Sequence, residues 1–198
     1  MPLLQRNTPT MKKIALSILV IFSVVLFQSC KKSDVAAATT TTPPILQATI
    51  NDATWTPDTT AASITYNAAT KTKVFTLTGT KSQKQVSFSL TLPNATNSAD
   101  FTANTYRVDN TNNLTMVYST QQKNSSGSYV FVPFGNVEPA GGVVVITSVD
   151  TVNKTITGSF ALTTKVTNYD SNGNVVSVTA VVVSAGSFTN MPYTFTSN

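Results

Sequence analysis

The side chains with chemical reach in this 198-residue chain are few: eight carboxylates, a single thiol at Cys30, and no histidine. Without an imidazole, the Ser-His-Asp and Cys-His arrangements of nucleophilic catalysis are excluded. So are the usual structural zinc sets, which need several Cys or His. From residue 45 onward the acids are Asp52, Asp58, Asp100, Asp109, Glu138, Asp150 and Asp170. A glycan hydrolase needs two carboxyls paired across the scissile bond. Most of these acids stand instead in turn contexts such as Pro57-Asp58 and Asp170-Ser171-Asn172-Gly173-Asn174, where an Asp side chain bonds its own backbone. The run Asp109-Asn110-Thr111-Asn112-Asn113 has the alternate oxygen-bearing side chains of a calcium loop. However, Leu114 stands in the place of the turn glycine and the acidic twelfth ligand is missing. Gly141-Gly142 opens an apolar strand-like run, not the helix that a phosphate loop requires. The sequence therefore reads as noncatalytic, with no metal and no cofactor. A carboxylate-dependent glycan hydrolase is the weaker alternative.

Binding is harder to exclude. Trp55 and the tyrosines Tyr66, Tyr106, Tyr118, Tyr129, Tyr169 and Tyr193 could stack on a sugar or a peptide. Trp55 follows an alternating strand and is expected in the core. The formal charge of +5 comes partly from Arg6, Lys12 and Lys13. From Lys31 onward ten cations face eight anions, a net charge of about +2. No basic run with interleaved aromatics remains, so a nucleic-acid partner is not expected.

The first thirty residues carry an address. Lys12-Lys13 precedes an unbroken apolar stretch, Ile14 to Phe27 (IALSILVIFSVVLF), and then Gln28-Ser29-Cys30. Charge, apolar core and small residue in that order make a signal peptide. Met11 fits as the true start, because the ten residues before it lack signal features. Fourteen residues at about 1.5 Å rise span about 21 Å, short of the roughly 30 Å hydrocarbon core, which disfavours a transmembrane helix. Leu26-Phe27-Gln28-Ser29-Cys30 resembles a lipobox, with Phe27 where Leu is usual and Gln28 larger than the common small residue. Cys30 is accordingly expected to be the lipidation site, and more than one acyl chain there would anchor the chain stably to a membrane. Residues 31–44 (KKSDVAAATTTTPP) read as a Thr/Pro-rich flexible tether.

From residue 45 to 198 the pattern is that of one all-β domain. Val86, Phe88, Leu90 and Leu92 alternate with polar residues, as do Ile156, Gly158, Phe160 and Leu162, which puts one face on a core and one in water. Val143–Ile146 and Val181–Val183 are continuous apolar runs, expected to be strands covered on both sides. Turn signals separate the runs at Asn51-Asp52, Asn67–Thr70, Asp150–Lys154 and Asp170–Asn174, the last containing the Asn-Gly hairpin pair. Adjacent strands joined by short turns predict an antiparallel meander of about nine or ten strands, closing as a β-sandwich or a barrel. About 154 residues suffice to bury a core without disulfides.

Several segments resemble a family of Bacteroidota envelope lipoproteins described as a domain of unknown function. They are Ala48-Thr49-Ile50-Asn51-Asp52 with Trp55, Gly142-Val143-Val144-Val145-Ile146-Thr147 with Asp150, Ile156-Thr157-Gly158-Ser159-Phe160, and Gly186-Ser187-Phe188. The resemblance implies an all-β, lipid-anchored protein of the cell envelope, at the outer membrane with its periplasmic or surface face left open, and it supplies no activity. The same group O-glycosylates Asp-Ser/Thr before a small or apolar residue, a pattern that Asp58-Thr59-Thr60 and Asp150-Thr151-Val152 match, making Thr59 and Thr151 candidate sites. Function then reads as a membrane-tethered module binding a glycan or protein ligand, or alternatively as a structural lipoprotein in an envelope assembly. Intact mass of the native protein tests the glycosylation: an excess over chain plus lipid is the expected signature of modified Thr59 or Thr151.

Overall fold

The structure is a computed structural model that describes residues 45–111 and 113–198. Cys30, the signal segment and the tether lie outside the described residues. Within Pro43–Asn198, one compact unit, the chain forms twelve strands: β1 (Leu46–Ile50), β2 (Ala53–Trp55), β3 (Thr59–Asn67), β4 (Thr72–Lys81), β5 (Lys84–Leu92), β6 (Asn104–Arg107), β7 (Leu114–Lys123), β8 (Tyr129–Pro133), β9 (Asn136–Asp150), β10 (Thr155–Tyr169), β11 (Val175–Pro192) and β12 (Thr194–Ser197). They make two six-stranded sheets, ordered β2-β1-β11-β10-β9-β6 and β12-β3-β4-β5-β7-β8. The sheets face each other as a sandwich and neither closes into a barrel. Adjacent hairpins dominate as the periodicity predicts, but β1 pairs with β11, β5 with β7 and β6 with β9, and one pairing is parallel, β12 with β3. The count exceeds the expected nine or ten because β2, β6, β8 and β12 have only three to five residues each, too few to show a repeat of two.

The turns are built by the residues that signalled them. Asn51 and Asp52 both have positive φ, 46° and 64°, as a two-residue hairpin between Ile50 and Ala53 requires. Asn67 Oδ1 accepts the N–H groups of Ala69 and Thr70, and Asp150 Oδ1 accepts those of Val152 and Asn153. In the β10–β11 turn, Gly173 takes φ 82° and Asp170 Oδ1 accepts from Asn172 and Asn174.

Alternation fills the space between the sheets. Val86, Phe88 and Leu90 of β5 point inward, and so do Ile156, Phe160 and Leu162 of β10. Trp55 is 4% exposed, as expected for a core residue, although its indole N–H has no partner among the described residues. The expectation of two-sided cover for Val143–Ile146 and Val181–Val183 is corrected. Val144, Ile146, Val181 and Val183 are buried, but Val143 and Val145 are half-buried and Val182 is exposed. An apolar run looks the same whether its second face is covered or bare, since the covering layer is a tertiary property.

The first sheet crosses the second. At the Tyr193 end of β11 the chain passes into β12 beside β3. Phe188 packs on Phe75 of β4 and Phe88 of β5, with ring centroids 6.1 and 6.0 Å apart. Phe160, paired with Gly186, also meets Phe88. Farther along, Thr164, paired with Val181, donates its hydroxyl to the Phe134 carbonyl just past β8. Successive levels of β10–β11 thus overlie successive strands of the other sheet, so the strands of the two sheets cross.

Close approach of β9 and β11 on either side of β10 demands glycine at position 158. A Cβ there would lie 2.1 Å from the Val145 carbonyl oxygen and 2.4 Å from Phe188 Cζ. We expect Gly158→Ala to cost about 3 kcal/mol and to lower Tm by roughly 6–12 °C, because backbone and a packed ring must both shift. Gly173→Ala has open space around it and pays only for its positive φ, about 1 kcal/mol. Thermal denaturation of the two variants checks the contrast.

Candidate interaction surface

The acids sit where their turn contexts put them. Asp109 is held below the usual carboxylate range by the Thr111 hydroxyl and backbone N–H. Asp150 is lowered by the Asn153 backbone N–H and side-chain amide, and Asp170 by the Asn174 side chain and backbone. A general acid needs the opposite shift. The largest groove, about 520 Å³, runs between β7 and β9, and Asp109 is the one ionisable residue lining it. No group of three metal-ligating side chains occurs among the described residues. Thr59, at the start of β3, and Thr151, in the β9–β10 turn, are both exposed. Of the aromatics, Trp55, Tyr66, Tyr118 and Tyr193 are buried and Tyr106 is half-buried. Tyr129 and Tyr169 alone stand out in solvent, each beside a hairpin tip.

One cluster had no signal in the sequence. Lys73 of β4 is 4% exposed, and its ammonium donates to Asp100 Oδ1 (2.9 Å), the Asp100 carbonyl (2.8 Å) and Ser98 Oγ (3.2 Å). A Ser-Lys pair can be nucleophilic, but this lysine gives away all three hydrogens and keeps no lone pair for a base. Its work is to pin the 93–103 loop. Asp100 is held below its ordinary value first by the Ser98 hydroxyl and then by Lys73. Partners 25 to 27 residues apart cannot be matched from spacing alone.

The surface that stands out is the far end of the β10–β11 hairpin. β9 pairs with β10 only as far as Lys165, and β1 with β11 only as far as Val183. Beyond these points β10 and β11 continue as a two-stranded ribbon, paired from Val166↔Thr179 to Tyr169↔Val175. Asn51 ends the ladder on the β11 side: its N–H donates to the Val182 carbonyl and its Oδ1 accepts the Val182 N–H, both 2.9 Å. The β11 side of the ribbon's outer face is apolar, with Lys165 cross-strand from Ala180 at its base. Val176, Val178 and Val182 are 67%, 56% and 45% exposed, and Tyr169 joins them. From Ser171 to Asn198 the chain has no charged residue. Sequence reasoning missed this surface: it read Val182 as covered and drew nothing from Val176 and Val178. That charge-free stretch, combined with valines at even positions 176, 178 and 182, was the available signal.

The Lys73 cluster yields an asymmetric prediction. Asp100→Ala leaves a buried ammonium short of its counter-charge, at about 2–3 kcal/mol, whereas Lys73→Met leaves only a carboxylate that is 66% exposed, at about 1 kcal/mol. Because the folded Asp100 carboxyl has a lowered pKa, its contribution is present above the ordinary carboxylate range and fades as pH falls through the folded value. Asp100→Asn should therefore flatten the acid limb of stability below about pH 4. Chemical denaturation at pH 7 and across pH 2–5 checks both.

Comparison with curated proteins and with solved structures found no match to this chain. Residues 42–192 match a family described as a domain of unknown function, DUF6252, a span that holds β1 to the end of β11 and leaves β12 outside. With three quarters of its length inside that match, the chain belongs to the DUF6252 family.

Proposed function

We propose that this protein is a lipoprotein of the bacterial envelope, of Bacteroidota type, anchored to the outer membrane through acylated Cys30, and that its sandwich binds a partner without catalysing a reaction. One observation carries the binding role: the exposed valines on the uncharged β11 strand of the β10–β11 ribbon. Contiguous apolar surface on a soluble domain marks an interaction site more often than it is tolerated. Its placement fits a tethered module. The chain enters the sandwich at Ile45, whose carbonyl accepts from Thr189 N. The ribbon begins at Thr179, ten residues away along β11, and reaches Val175, fourteen residues away, roughly 45 Å at about 3.3 Å per residue. The end that is free to meet a partner is thus opposite the end where the anchor joins.

A polypeptide suits the ribbon better than a glycan, because its outer face offers Val176, Val178 and Val182 with a single aromatic, Tyr169. A carboxylate hydrolase is disfavoured by the lowered carboxyls and by the single acid in the largest groove.

Two variants test this reading in the native envelope. Cys30→Ser should abolish acyl labelling and membrane partition. A Cys30→Ser chain that still sediments unprocessed with membranes removes the anchor. The pair Val176→Asp and Val178→Asp should leave partition and folding intact and strip copurifying protein at least tenfold. Unchanged copurification removes the ribbon as the binding surface.

A further inference from the structure

The ribbon offers more than an apolar face, because one of its backbone edges is unpaired. Val182 directs its N–H and C=O toward Asn51, on the β1 side. Backbone groups alternate sides along an antiparallel strand, and no irregularity interrupts the register between Val183 and Ser177. Ala180 and Val178 therefore aim their N–H and C=O groups the same way, past the end of β1, where no described strand lies. The fold blunts its other edges. β2 has three residues, β6 and β12 four each, and β8 ends in Pro133. Short strands, prolines and charges are how native sheets prevent edge pairing. The β11 overhang has none of these from Val175 to Val181.

Deepening the binding role given above, we propose that this edge pairs with the same edge of a second copy of the chain, antiparallel about a two-fold axis. Val178 of one copy faces Ala180 of the other, and Thr179 faces Thr179. Four backbone hydrogen bonds are made by groups that now face solvent, and two marginal ribbons become one four-stranded sheet. Self-complementarity favours this occupant, and free length selects this edge. At a two-fold axis Thr179 meets its own copy, so a charge there would repel itself, while the residues on either side meet one another reciprocally. The β11 edge is neutral throughout, and the free stretch of β10 beyond Lys165 is shorter, only Val166 to Tyr169. Threonine opposite threonine is a favourable cross-strand pair, and valine suits a strand. The register also keeps the backbone bonds clear of the irregularity opposite Asn168–Tyr169.

The test uses the chain from Lys31 onward, which carries the whole sandwich and no native thiol. Thr179→Cys should cross-link to itself under mild oxidation, since facing non-hydrogen-bonded positions lie about 4.5 Å apart at Cα, within disulfide reach. Asn168→Cys, on the β10 strand of the same ribbon, should cross-link at least tenfold more slowly. Sedimentation of the unsubstituted chain should show a concentration-dependent dimer. The double variant Val178→Lys, Ala180→Lys should stay monomeric with Tm within a few degrees. A monomer at every concentration, or equal cross-linking at 179 and 168, overturns the second-copy proposal. If envelope protein still copurifies through the ribbon, the partner is a strand of another protein, and the binding role stands without the dimer.

Discussion

The crossing of one sheet over the other governs the rest of this molecule. Strands β10 and β11 have 15 and 18 residues, but the sheet beneath them is only six strands wide. At about 4.8 Å per strand its breadth is near 25 Å, whereas an 18-residue strand extends for about 60 Å. Lying across that sheet, β10 and β11 can be covered over only part of their length. Phe188 and Phe160 mark the covered part, packed on Phe75 and Phe88. Thr164 marks its edge, bonded to Phe134. What lies beyond is ribbon, exposed on both faces, because there is no second sheet under it.

Two consequences follow from that mismatch. Residues of one chemical type acquire opposite fates along one strand: Val181 and Val183 enter the core, while Val176, Val178 and Val182 meet solvent. The hairpin also leaves its neighbours behind, so β1 and β9 end before it does and the ladder is closed at Val182 by the Asn51 side chain. A side chain that terminates a ladder on one residue and leaves the next two outward-facing residues open defines an edge of fixed length and register, the geometry on which strand addition depends.

The acids show the converse relation between local and tertiary structure. Asp150 and Asp170 do in the fold what their turn contexts imply, each accepting backbone N–H groups within four residues. Asp100 does not. It is bound to a lysine that lies 27 residues earlier and on a different element. Nothing in the spacing of Lys73, Ser98 and Asp100 distinguishes them from surface residues, because only the return of the 93–103 loop along β4 brings them together.

The amino-acid pattern by itself determined the strands, their inward faces and their turns. Alternation places Val86, Phe88 and Leu90 on one side of β5, and Asn51-Asp52, Asn67 and Asp170 with Gly173 close hairpins through their own side chains or positive φ. Those are interactions within a few residues, so they are written locally. The tertiary structure decided sandwich over barrel, the pairing of β12 with β3, the burial of Lys73 and the exposure of the ribbon. Each depends on which layer lies over which, and a strand's sequence carries no record of how far the opposing layer extends.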